Sequence, residues 1–142
     1  MDRREMLGML GAGAVGLAAM SGRETFAHEL ASVEKECLES CADCARACDL
    51  AFHFCLSEVS EGKKEHAEPL EYFVSCAGFC ALSAANLTKH SPLRYFSCQA
   101  CGDACKETLA VVSKFDAEEM KAAAKALARC EKSCKAMVQR HH

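Results

Sequence analysis

Between residues 29 and 139 the buried-type positions recur at steps of three, four and seven. At 100° per residue those steps keep side chains on one stripe of a helix. Polar punctuation is sparse. It falls at Ser60-Glu61-Gly62-Lys63-Lys64, at His90-Ser91-Pro92 and at Lys114-Phe115-Asp116. The segments between predict helices over 29–60, 66–89, 92–114 and 117–139. Ser91 is placed as an N-cap with Pro92 as first helical residue. Asp116 is placed as an N-cap ahead of Glu118 and Glu119, whose charges suit a helix start. Pro69 fits the first turn of the second helix. No strand-like alternation persists. Four helices with short connections predict an all-α, antiparallel up-down-up-down four-helix bundle.

The residue that occupies the stripes is cysteine. On the first helix it stands at Cys37, Cys41, Cys44, Cys48 and Cys55, and on the second at Cys76 and Cys80. The third carries Cys98, Cys101 and Cys105, and the fourth Cys130 and Cys134. The stripes continue with Val59, Phe73, Leu87, Val112 and Leu127, so the thiols are predicted to point into the bundle core. Counted from the 61–65 connection, they form a column roughly 27 Å long at 1.5 Å per residue.

Composition sharpens this picture. The chain has 142 residues, 12 cysteines, no tryptophan and a net charge of −3. That charge leaves no basic surplus for a nucleic-acid backbone, and no apolar run reaches the roughly 18 residues of a membrane span. No nucleophile–base pairing or phosphate loop stands out, so the chain is not read as an enzyme. The aspartates and glutamates read as solvated helix faces.

The first 27 residues read as an export leader. Arg3-Arg4 precedes a soft apolar run, Leu7–Ala19, and Thr25-Phe26-Ala27 offers a cleavage point. The pair resembles a twin-arginine signal with Leu7 in the apolar position. Five of the eight glycines fall here, which disfavours a stable helix. The division is then a cleaved leader, 1–27, and a bundle, 28–142. Such leaders export folded proteins, here to the periplasm, so the thiols can fold or load metal before meeting an oxidising compartment.

Three readings of the cysteines compete. A disulfide-stapled structural or interaction module is the usual meaning of so many cysteines in a short exported chain. However, i,i+4 neighbours lie about 5–6 Å apart at Cβ, beyond the 3.8 Å mean of a disulfide. A zinc or mixed-metal sequestering protein would need four tetrahedral ligands per ion, normally from turns. Iron–sulfur ligation normally carries a loop signature that the run from Cys37 to Cys48 lacks. Copper(I) is soft and prefers thiolate, and two or three ligands suffice it, so a thiol pair on one helix can grip it.

The leader, the four-helix length and the Cys-x3-Cys pairs along the helices resemble the copper storage proteins, in their exported branch. The resemblance implies a bundle that takes up many Cu(I) ions through all 12 cysteines, often as a tetramer of bundles. It also implies an unknown copper donor and recipient. Exported members can add Met and His ligands at one open end; the chain after residue 27 offers Met120 and Met137. Met137 and His141 continue the Cys134 stripe, although core packing and a helix terminus explain them more simply. His53 is predicted to face outward. His66 and His90 are read as helix-end residues. Phe52, Phe54, Phe73, Phe79, Phe96 and Phe115 are read as core or inter-bundle contacts.

Overall fold

The computed structural model describes residues 32–141 with their side chains, and residues 3–31 through their backbone alone. The leader expected over residues 1–27 lies outside the residues described with side chains. The chain divides into two units, Met1–Ser32 and Val33–His142. The second is the bundle and is described by itself.

The helices are α1 (Arg3–Ser60), α2 (Ala67–Thr88), α3 (Arg94–Val112) and α4 (Glu118–His141), with one 3-10 turn, Lys64–His66, before α2. α1 ends where the sequence predicted and begins before residue 29. Sulfur contacts fix the topology. Cys37, Cys41 and Cys44 of α1 meet Cys98, Cys101 and Cys105 of α3 in the same order, so these helices run parallel. Cys37 meets Cys134 while Cys55 meets Met120, so α1 and α4 are antiparallel. Cys76 meets Cys105 and Ser83 meets Cys98, so α2 and α3 are antiparallel. This is the predicted up-down-up-down bundle.

Connections follow local chemistry. Gly62 takes φ 91° in the α1–α2 connection, a left-handed conformation that glycine adopts freely. His90 takes φ 51° just after α2. Pro92 is not the first residue of α3. The Ser91 hydroxyl accepts a hydrogen bond from the Leu93 amide at 3.1 Å, and Pro92–Leu93 form a turn that delays the helix to Arg94. Asp116 is also one residue too early to cap α4. The Ala117 carbonyl accepts the first helical bonds, from Met120 and Lys121 at 3.0 Å.

All 12 cysteines are 0–1% exposed. Phe73, Leu87, Val112 and Leu127 are buried as expected, whereas Val59 is only half-buried. Gly102 sits where α3 and α4 approach closely; a Cβ there would stand 3.2 Å from the Cβ of Cys134. On the outside, Arg129 of α4 clamps α1 through Glu36 at 2.8 Å and Asp43 at 2.9 Å.

Candidate metal centre

Each helix delivers its thiols to the axis because its cysteines share one stripe. Their vertical register comes from the short connections. The result is a sulfur network that joins ten of the 12 thiols through contacts of 3.6–4.0 Å, with Cys48 and Cys55 beyond it toward the α1–α2 connection. Cys98 contacts Cys37 at 3.8 Å, Cys37 contacts Cys134 at 3.8 Å, and Cys134 contacts Cys41 at 3.7 Å. The path continues through Cys130 at 3.7 Å to Cys101 at 3.7 Å. From there it passes to Cys80 at 3.6 Å and Cys105 at 3.8 Å. Cys105 also touches Cys44 at 3.9 Å and Cys76 at 3.8 Å. Cys48 lies beside Cys44 and Cys76, which push its thiol upward in that order. Cys55 stands nearest the α1–α2 connection, 3.7 Å from Sδ of Met120. The structure thus brings together all 12 sequence-predicted residues as free thiols on one axis.

The spacing has chemical content. With metal–sulfur bonds of about 2.3 Å, the S···S edge is about 3.8 Å in a tetrahedron and about 4.0 Å in a trigonal plane. The contacts of 3.6–4.0 Å already have those edges. They are far longer than a disulfide bond of about 2.05 Å. Three groups converge within 4.8 Å: Cys41/Cys101/Cys130/Cys134, Cys44/Cys80/Cys105/Cys130 and Cys37/Cys98/Cys134. Cys130 and Cys134 each belong to two groups, so the sites are not separate.

Hydrogen bonding polarises the network. Neighbouring thiols, Cys101 first and then Cys105, hold Cys130 well below the ordinary thiol range. Cys105 and then Cys44 do the same for Cys76. Cys105 is pushed up, first by Cys101. Burial, then the Glu58 carboxylate, pushes Cys55 up from 9.0 to about 11. The unfolded chain loses this proton near pH 9 while the folded chain keeps it to about 11. Stability is therefore full below pH 9 and falls as pH rises through that window, by about 2 kcal/mol. Anaerobic melting of the metal-free protein between pH 8 and 11 should show this decline, and Cys55→Ser should shallow it. A decline of equal steepness in Cys55→Ser would assign it elsewhere.

Several residues differ from their sequence reading. His66 is not a cap. Its side chain makes no capping bond, is 7% exposed, and packs between Phe54 and Phe115 with ring centroids 5.7 and 4.9 Å away. Met137 is core packing, and His141 stacks on Tyr95 at 4.3 Å. His90 lies 3.7 Å from Glu34 and is exposed. His53 is exposed as predicted. Phe79 and Phe96 lie on the surface, which removes the core half of their reading and leaves the inter-bundle half. Sequence reasoning passed over Ser83, Ser40 and Ser133, all buried beside the thiols. The spacing Cys76–Cys80–Ser83–Leu87 contained the sign for Ser83.

The family model described as Csp, copper storage protein, matches residues 30–139. The uncharacterized cysteine-rich protein YhjQ of Bacillus subtilis (strain 168) is 32% identical over 101 residues, covering 71% of this chain and 92% of that protein. Among solved structures, the Cu(I)-bound copper storage protein BsCsp3 superposes with a TM-score of 0.70 at 29% identity. That match covers 75% of this chain and 99% of the other. Apo-Csp3 from Bacillus subtilis gives a TM-score of 0.66 at 29% identity, over 73% and 97% of the two chains.

Proposed function

This chain belongs to the copper storage protein family, and we propose that it is exported and holds many Cu(I) ions in its core, about one per cysteine. The family stores metal and does not catalyse a reaction. The observation that carries the reading is the network of buried thiols running from Cys98 and Cys37 to Cys105 and Cys76, with sulfur spacings of 3.6–4.0 Å. Zinc would favour private quartets of ligands, and the sharing of Cys130 and Cys134 weighs against that. A soft ion of low coordination number fits shared thiolates. The ligands proposed are the 12 cysteines named above.

The test is copper retained after anaerobic Cu(I) loading and removal of unbound metal, compared across two variants. Cys130 touches Cys41, Cys101 and Cys134, so Cys130→Ser should lose more than one ion. Among the described residues the sulfur that Cys55 touches is the Met120 thioether, so Cys55→Ser should lose no more than one. Failure of the wild-type chain to retain copper would sink the function. Equal losses would sink the shared network.

Export rests on Arg3 and Arg4. Replacing both with Lys should leave the protein in the cytoplasm; periplasmic accumulation of that variant at wild-type levels would refute the twin-arginine reading. The tetramer implied by the family resemblance belongs to the same proposal. The exposed Val74, Phe79, Leu82 and Phe96 support it.

A further inference from the structure

At the level of Cys37, Cys98 and Cys134, three helices each contribute one thiol: α1, α3 and α4. α2 contributes none. Its stripe runs Cys76, Cys80, Ser83, Leu87, with steps of four, three and four. Ser83 is therefore the residue that α2 brings to this level. Its hydroxyl is 0% exposed and lies 3.3 Å from Sγ of Cys98. The other two convergent groups have four thiols; this one has three and a neighbouring hydroxyl. Serine differs from cysteine by one atom, so the oxygen is a chemical choice at a position where sulfur fits the helix geometry.

A neutral hydroxyl is a hard donor and a poor ligand for a soft ion. It is a good hydrogen-bond donor to a thiolate. We infer that Ser83 sets the lower group at three thiolate ligands and thereby reserves it for Cu(I) against tetrahedral divalent ions. With Ser83 in place, an ion there receives three sulfurs from Cys37, Cys98 and Cys134, and the Ser83 O–H donates to Cys98. Cu(I) accepts that trigonal set. Zinc and cobalt(II), which seek four donors, are left one soft ligand short. The inference rests on the Cu(I)-binding reading above and specifies which residue gives one of its sites its selectivity.

The test compares wild type, Ser83→Cys and Ser83→Ala as full-length proteins. Each is titrated anaerobically with Co(II) or Zn(II) alone, and separately with Cu(I). Ser83→Cys supplies the fourth sulfur. It should bind about one more divalent ion per chain than wild type, with the visible d–d absorption of tetrahedral cobalt gaining in proportion. Ser83→Ala removes the hydroxyl without adding sulfur. It should match wild type in divalent-ion count, and its circular dichroism reports whether the fold tolerates change at this position. The inference is overturned if Ser83→Cys gains no divalent ion, or if Ser83→Ala gains one. Loss of Cu(I) uptake by the wild type would instead overturn the functional reading, so the two failures are distinct.

Discussion

Anaerobic titration of the metal-free protein with Cu(I) will saturate near one ion per cysteine, about a dozen per chain, rather than at half that number. The reason is charge. A Cu(I) ion held by two private thiolates carries a net −1. Six such sites would place about six negative charges in a core that excludes water, at several kcal/mol each. Among the described residues the buried polar groups are serines, a threonine and one histidine, with no buried lysine or arginine to balance them. Sharing removes the problem. When each thiolate bridges two ions, metals and ligands become equal in number and the core approaches neutrality. The geometry permits sharing: Cys105 lies within 3.9 Å of Cys44, Cys76 and Cys80, and Cys41 within 4.0 Å of Cys37, Cys101, Cys130 and Cys134. Loading should release about one proton per thiol that is protonated beforehand, since only thiolates ligate. A sharp break at about six ions with no later uptake would show isolated two-coordinate sites and refute the shared core.

Metal removal should leave a folded but much weaker bundle. The metal-free chain still buries Phe73, Leu87, Val112, Met120, Leu127 and Met137 beside its thiols, which supplies apolar area independent of copper. Its circular dichroism should be helical at 25 °C. Each ion bound at a hundredfold excess over its dissociation constant adds about 2.7 kcal/mol to the folded state. Many ions together should therefore raise the melting temperature by tens of degrees, since about 1 kcal/mol shifts a domain of this size by several degrees. Chelation should return it. A metal-free protein with a coil spectrum that folds only on adding Cu(I) would show that the ions build the bundle rather than fill it.

The bundle and its ligands were legible because period 3.6 is a strong code when one residue type marks the stripe. Five cysteines on α1 at steps of 4, 3, 4 and 7 determine a face without any knowledge of partners. What periodicity leaves open is the axial level at which one helix meets another. Ser83 carries the stripe as plainly as Cys80 does. Its meaning appears only once Cys98 is seen at the same height, 3.3 Å away. Met120 is similar. It lies seven residues before Leu127 on the α4 stripe, yet its place beside Cys55 depends on how the α3–α4 connection sets the register. The ends of helices were misread for a different reason. The Ser91 hydroxyl does accept the Leu93 amide, as a cap would, but Pro92 and Leu93 close a turn and α3 begins only at Arg94. His66 does stand at a helix end, as its position predicts; what that position does not disclose is that Phe54 and Phe115 close around its ring.

The burial of every thiol governs traffic as well as capacity. With no cysteine more than 1% exposed, a partner protein finds no sulfur laid open on the flank of the bundle; Cys98 and Cys134 come nearest to it, lining a groove between α3 and α4. Inside, from Cys98 and Cys37 through to Cys105 and Cys76, each sulfur lies 3.6–4.0 Å from the next, about one coordination edge. An ion can therefore take a new thiolate before it gives up the old one, and it travels without ever being bare. In a core filled through its ends, filling and emptying would be a one-dimensional relay: an ion near Cys101 and Cys130 would leave only after those beyond it had moved, and its residence time would grow with depth even where every site binds equally well.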